Sequence, residues 1–136
     1  MFVDASAIMA MLTGESDADA LADTLEAAHA PITSGVAVFK ATPGLCRKRH
    51  ASVAEAQADV TEFLAMAGVR TVSIMAKEAE AALDAFPRYG KGRGHPAQLN
   101  MADCFTYAVA KTYRTALLFK GDDFSKTDIS PVGRAG

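Results

Sequence analysis

The stretch LNMADCFTYAVAKTYRTALLFKGDD, residues 99 to 123, decides how the rest of the chain is read. Asn100 stands three residues before Asp103, the spacing of a capping pair, and residues 100 to 113 read as a helix. Ala116-Leu117-Leu118-Phe119 is then an apolar run too short for a helix, which predicts a buried strand, with Gly121-Asp122-Asp123 as the turn beyond it. A helix feeding a buried strand that ends in acids is half of a crossover unit. The start of the chain supplies a matching piece: Met1-Phe2-Val3-Asp4 is a short apolar run ending in a carboxylate, and residues 5 to 12 favour helix.

Between these ends the same alternation continues. Ser16 can cap a second helix running to about residue 28, with acids in its first turn, and Ile32-Thr33-Ser34 follows as a short strand. The apolar stretch from Val36 to Leu45 contains Pro43 and Gly44, so a helix there should kink near Pro43. Ser52-Val53-Ala54-Glu55 is a capping box, and Val60, Phe63, Leu64 and Ala67 recur at helical spacing before Gly68. Residues 69 to 74 alternate and are β-branched, predicting a strand, while residues 77 to 86 predict a helix closed by Pro87. Gly90 to Pro96 carries too much glycine for regular structure and is expected as an exposed loop. Strands separated by helices imply a parallel sheet covered on both faces. The expected fold is therefore α/β, with four to five parallel strands in one domain over residues 1–136.

A chain of 136 residues suits one domain, and 50% hydrophobic with 22% charged residues is the balance of a folded core. No apolar run approaches the roughly 20 residues that span a bilayer, and Asp4 stands where a secretory leader would carry positive charge. A cytoplasmic protein without a membrane segment is expected. Cys46 and Cys104 are too few for a disulfide scaffold and read as buried thiols. The net charge of −2 gives no general attraction for nucleic acid, so any RNA contact has to come from local basic groups. The candidates are Arg47, Lys48 and Arg49 in one cluster, and Lys91 and Arg93 in the glycine-rich loop; solvated surface is the plain alternative for both. His29, His50 and His95 are scattered and read as surface.

The acids are more informative. Asp4, Asp103, Asp122 and Asp123 fall at the carboxyl ends of expected strands or at helix starts following them, and in an open α/β sheet ligands bind at that edge. Clustered carboxylates repel unless a hard cation lies between them, which points to Mg²⁺, with Mn²⁺ as the alternative. Each acid also has a simpler reading, Asp103 as a cap and the Asp122–Asp123 pair as a turn.

The order of the pieces resembles the PIN-domain ribonuclease toxins of the VapC type. Asp4-Ala5-Ser6 is similar to that family's opening Asp-x-Ser or Asp-x-Thr motif, residues 99 to 108 to its late-helix motif, and residues 117 to 128 to its final segment. The resemblance covers about residues 1 to 129. It implies a PIN-like fold and an Mg²⁺-dependent endoribonuclease toxin, paired with a cognate antitoxin that covers the acidic site, and a homodimer. It carries Asp4, Asp103, Asp122 and Asp123 over as metal ligands, with Ser6 hydrogen-bonding the acids or a metal-bound water. One position departs from the pattern: the family's second acid follows Thr-Ser in a Phe-Glu-Ala sequence, and here the chain reads Thr33-Ser34 and then Phe39-Lys40-Ala41. Lys40 is thus expected among the acids of the site, where its ammonium can replace a metal's charge and impair activity. The competing readings are a non-catalytic PIN-fold binding module and a metal-dependent nuclease or phosphatase acting on DNA.

Overall fold

Successive side chains of a strand leave by opposite faces, so a run that is apolar throughout has to be covered on both sides. The computed structural model describes residues 1–129 and has that arrangement. Strands β1 (Phe2–Val3), β2 (Ile32–Ser34), β3 (Arg70–Val72) and β4 (Leu117–Leu118) form one parallel sheet in the order β3-β2-β1-β4. Phe2 is in register with both Ile32 and Leu117, and Ile32 with Arg70. Phe2, Ile32, Val72 and Leu117 therefore share one apolar layer, whereas Val3 and Leu118 belong to the other.

Six helices cover the two faces: α1 (Ala5–Thr13), α2 (Ala18–Glu26), α3 (Gly35–Arg49), α4 (Val53–Met66), α5 (Ala76–Tyr89) and α6 (Met101–Thr112). Helices α5 and α6 bury Ala82, Ala85, Tyr107 and Ala108 against the first layer, and α1, α2 and α4 bury Ile8, Leu21 and Val60 in the second. Helix α3 contributes to both, through Ala37 on one side and Ala41 and Leu45 on the other. It approaches α1 closely: a Cβ on Gly44 would lie 2.4 Å from the Met9 Cε, so only glycine fits with Met9 where it is.

Caps explain most of the helix starts. Asp4, Ser34, Ser52 and Asn100 each accept a backbone N–H of the first turn, and Ser52–Glu55 and Asn100–Asp103 form complete capping boxes. Helix α2 differs from its sequence expectation. It is preceded by Asp17 rather than capped by Ser16, and the Asp17 carboxylate lies 3.2 Å from the Lys120 ammonium instead of on the helix end. Helix α3 runs through Pro43, and α5 runs through Pro87 to Tyr89. Pro87 falls in the last turn, and the Gly90 N–H closes that turn on the Phe86 carbonyl at 2.7 Å. Strand β3 keeps only the three residues that pair with β2. No helix among the described residues is long and apolar enough to cross a membrane.

The chain steps from β1 outward to β2 and β3, then returns to lay β4 on the other side of β1. The strand order reverses beside β1, and at such a switch point the carboxyl ends of the strands open a crevice. Asp4 follows β1 there and the Lys120–Asp123 turn follows β4. That turn is anchored by Phe124, which is 2% exposed and packs edge-on against Phe119 with ring centroids 5.3 Å apart. Phe124→Ala is expected to cost about 3–5 kcal/mol, by analogy with other buried aromatic truncations. Urea unfolding checks this, and a loss well under 1 kcal/mol would mean that Phe124 does not anchor the turn.

Candidate active site

Asp4 leaves β1 in an extended conformation (φ −76°, ψ 157°) and caps α1, so its carboxylate turns back over the sheet edge. It is 2% exposed, yet both oxygens are answered. Its Oδ2 accepts the Ser6 N–H at 3.0 Å and the Ser6 hydroxyl at 2.6 Å, and its Oδ1 accepts the Thr106 hydroxyl at 3.0 Å. The Ser6 Oγ in turn accepts the Lys120 N–H at 3.0 Å. Helices α1 and α6 therefore meet on one carboxylate, and the turn after β4 joins them through Ser6.

Asp103 serves two structures at once. Its Oδ2 accepts the Asn100 N–H at 3.2 Å as the returning half of the capping box, while its Oδ1 accepts the Lys40 ammonium at 3.1 Å. The cap and the site are two uses of one side chain. Asp103 is 2% exposed, and the Lys40 side chain is 37% exposed, so the ammonium keeps a face toward solvent. The position that reads as a departure in sequence thus lies directly on an acid 63 residues away.

Burial pushes the Asp4 carboxyl above the ordinary carboxylate range; the Ser6 hydrogen bonds oppose this, the charge of Asp103 adds to it and that of Lys40 offsets it. Burial likewise raises Asp103 against the charge and hydrogen bond of Lys40, and the charge of Asp123 raises it further. Asp4, Lys40 and Asp103 therefore form one electrostatic unit, with Asp123 within range of it. Asp122 is exposed, and its described contact is through its backbone carbonyl, which accepts the Ser125 hydroxyl at 2.8 Å. Among the described residues, no three His, Cys, Asp or Glu side chains gather closely enough to hold a metal ion.

The basic candidates separate in space. Lys48 pairs with Glu15, and Arg49 pairs with Asp59 at 2.9 Å and donates to the Leu12 carbonyl. Arg47 and Lys91 are exposed, and the Arg93 guanidinium lies 5.0 Å from the Phe86 ring centre. Two residues of the site were not marked from sequence. Thr106 stands three residues after Asp103, a spacing that places both on one helix face and could have flagged it. Lys120 bonds Glu15 at 2.9 Å and reaches Asp17 at 3.2 Å, bracing the turn that its own N–H ties to Ser6; no sequence pattern announces that. Glu78 is a further buried acid, with Oε1 on the Met75 N–H at 3.4 Å. An apolar groove of ≈ 510 Å³ between α5 and α6 is lined by Leu83, Phe86, Met101 and Phe105, with Lys91 at its side.

The family model described as PIN domain matches residues 1–130. Ribonuclease VapC30 of Mycobacterium tuberculosis is 40% identical over 132 residues, covering 97% of this chain and 98% of that protein. Among solved structures, Mycobacterium tuberculosis VapC20, a sarcin-ricin loop cleaving toxin, superposes with a TM-score of 0.73 at 19% identity, covering 96% of this chain and 97% of its own. A toxin–antitoxin complex from Klebsiella pneumoniae contains a chain that matches with a TM-score of 0.64 at 19% identity, covering 91% and 89%. These two likenesses concern the fold.

The raised carboxyls set a pH dependence of stability. A group whose folded pKa exceeds its unfolded value contributes stability that is complete below the unfolded value and is lost as pH rises through the folded one. For Asp4 the loss therefore begins in the ordinary carboxylate range and continues above it. Thermal midpoints in metal-free buffer, compared with those of Asp4→Asn, are expected to differ in slope over that window, the parent chain losing more as pH rises. Parallel curves would show that the Asp4 carboxyl is not raised by folding.

Proposed function

The chain belongs to the PIN-domain family, and on that basis we propose that it is an endoribonuclease toxin of a toxin–antitoxin pair, hydrolysing RNA phosphodiester bonds at the Asp4–Asp103 crevice. The observation that carries this reading is the convergence of two buried carboxylates, 99 residues apart in sequence, at the switch point of a parallel sheet, with Thr106 of the Asp103 helix bonded to Asp4. RNA is preferred to DNA as substrate because the relatives are ribonucleases. In this reading Asp4, Asp103, Asp122 and Asp123 are the acids of the reaction, and Ser6 and Thr106 hold Asp4 in position. Arg47, Lys91 and Arg93, which hold no ion pair among the described residues, are the first choices for the RNA backbone. Lys48 and Arg49 would have to leave their present partners to join them.

An all-oxygen acid cluster of this kind calls for a hard divalent cation, Mg²⁺ first and Mn²⁺ second. Such an ion would lower the pKa of a bound water and neutralise charge building on the phosphate. The residues as they stand do not fit it. Lys40 holds the Asp103 Oδ1, and no three-acid group forms among the described residues. The chain is accordingly read as a toxin whose hydrolysis is impaired by Lys40. A cognate antitoxin and a second copy of the chain are the proposed protein partners, for which the exposed Leu83 and Met101 beside the α5–α6 groove offer apolar surface. We place the whole chain in the cytoplasm, as one domain acting where RNA is present.

The test is cleavage of a mixed-sequence RNA, in Mg²⁺ and in EDTA, by the parent chain and by Lys40→Glu. Restoring the acid is expected to raise the Mg²⁺-dependent rate by about 10²-fold, the size of effect seen when one electrostatic group is returned to a site. Adding Asp4→Ala to Lys40→Glu should abolish that gain, and a DNA of the same sequence should be cut more slowly. Cleavage that survives Asp4→Ala would come from a contaminant and would sink the proposal.

A further inference from the structure

Two buried acids brought to one crevice call for a positive charge beside them, and this chain supplies one covalently. The Lys40 ammonium lies 3.1 Å from the Asp103 Oδ1, and its charge also stabilises the ionised form of Asp4. The remaining oxygens are spoken for by neutral donors: Ser6 and Thr106 on Asp4, and the Asn100 N–H on Asp103. We propose that Lys40 is a tethered cation occupying the seat at Asp103 that a divalent ion would take, so that the acid cluster is neutralised from within and metal binds only by displacing the ammonium. This rests on the ribonuclease reading for its consequence, but not for its test.

The geometry favours the ammonium in the folded chain. Lys40 is held on α3, whose first turn is fixed by the Ser34 cap and whose middle is packed against α1 at Gly44. A tethered group has a high effective concentration at its partner, whereas a free ion has to be drawn from solution and partly dehydrated. A divalent ion arriving at Asp103 meets a like charge at contact distance, and its binding is opposed for as long as Lys40 remains. The fold is thus complete without metal.

The experiment measures metal binding and stability rather than turnover. Mg²⁺ and Mn²⁺ are titrated by calorimetry into the full chain, Lys40→Met and Lys40→Glu, and thermal midpoints are recorded in EDTA and in excess Mg²⁺. The parent chain is expected to show a midpoint indifferent to Mg²⁺. Lys40→Glu should melt lower in EDTA and recover by several degrees in Mg²⁺, because an ion bound only by the folded state stabilises by mass action. Its affinity for the ion should exceed the parent's by about tenfold or more, from the exchange of a repelling for an attracting charge. Lys40→Met, which removes the ammonium without adding an acid, should fall between them and keeps the test informative if the Glu variant folds poorly without metal. Equal Mg²⁺ affinity in the parent and Lys40→Met would overturn the tethered-cation role and leave the ribonuclease reading untouched. Recovered Mg²⁺ binding in Lys40→Glu with no RNA cleavage would overturn the ribonuclease reading and leave the role of Lys40 standing.

Discussion

A carboxylate taken out of water needs a hydrogen bond for each exposed lone pair and a positive charge within reach, or it takes up a proton. Asp4 and Asp103 impose that requirement together, and the surrounding structure is organised to meet it. Helix α1 gives Ser6, helix α6 gives Thr106 and the Asn100 cap, helix α3 gives Lys40, and the turn after β4 orients Ser6 through the Lys120 N–H. No single element carries the site. Its assembly requires the parallel sheet to bring four chain segments to one edge, and the two apolar layers hold those segments at fixed distances.

Much of the fold could be read from short apolar runs, because a run of two to four buried residues between helices has few other destinations. Ile32, Phe2 and Leu117 each became strand residues in register. Boundaries were harder, since they depend on tertiary partners. Ser16 reads as the cap of α2 in sequence, but the helix is preceded by Asp17, whose carboxylate has a lysine from the far end of the chain as its partner, and Pro87 was tolerated because it falls in a closing turn. In the site, the acids could be picked out by their position after strands, and Lys40 by comparison with the family pattern. Which oxygen meets which donor could not be. Thr106 is one of many threonines until the helix face that carries it is known, and Asp122 and Asp123 are adjacent acids until the turn brings the charge of Asp123 to bear on Asp103.

Most basic side chains near the crevice hold the protein together. Glu15 receives both Lys48 and Lys120, Asp17 receives Lys120, and Asp59 receives Arg49, joining the α1–α2 connection to α3, α4 and the turn after β4. These pairs are partly exposed, and such pairs individually add little stability. Their collective effect is on geometry: they fix the turn whose backbone orders Ser6.

Gly44 sits one helical turn beyond Lys40, and the missing side chain there lets α3 lie against Met9. The helix works as a rigid rod between that contact and the acid cluster, so its standoff from α1 is transmitted to the lysine tip. Any Cβ at position 44 has to displace the Met9 thioether or shift the rod, and the flexible methionine is the softer of the two. The reach of Lys40 to Asp103 is thus set partly by the missing side chain one turn along the same face of the helix. A substitution at this apolar contact would retune the charge balance of the crevice without touching either acid.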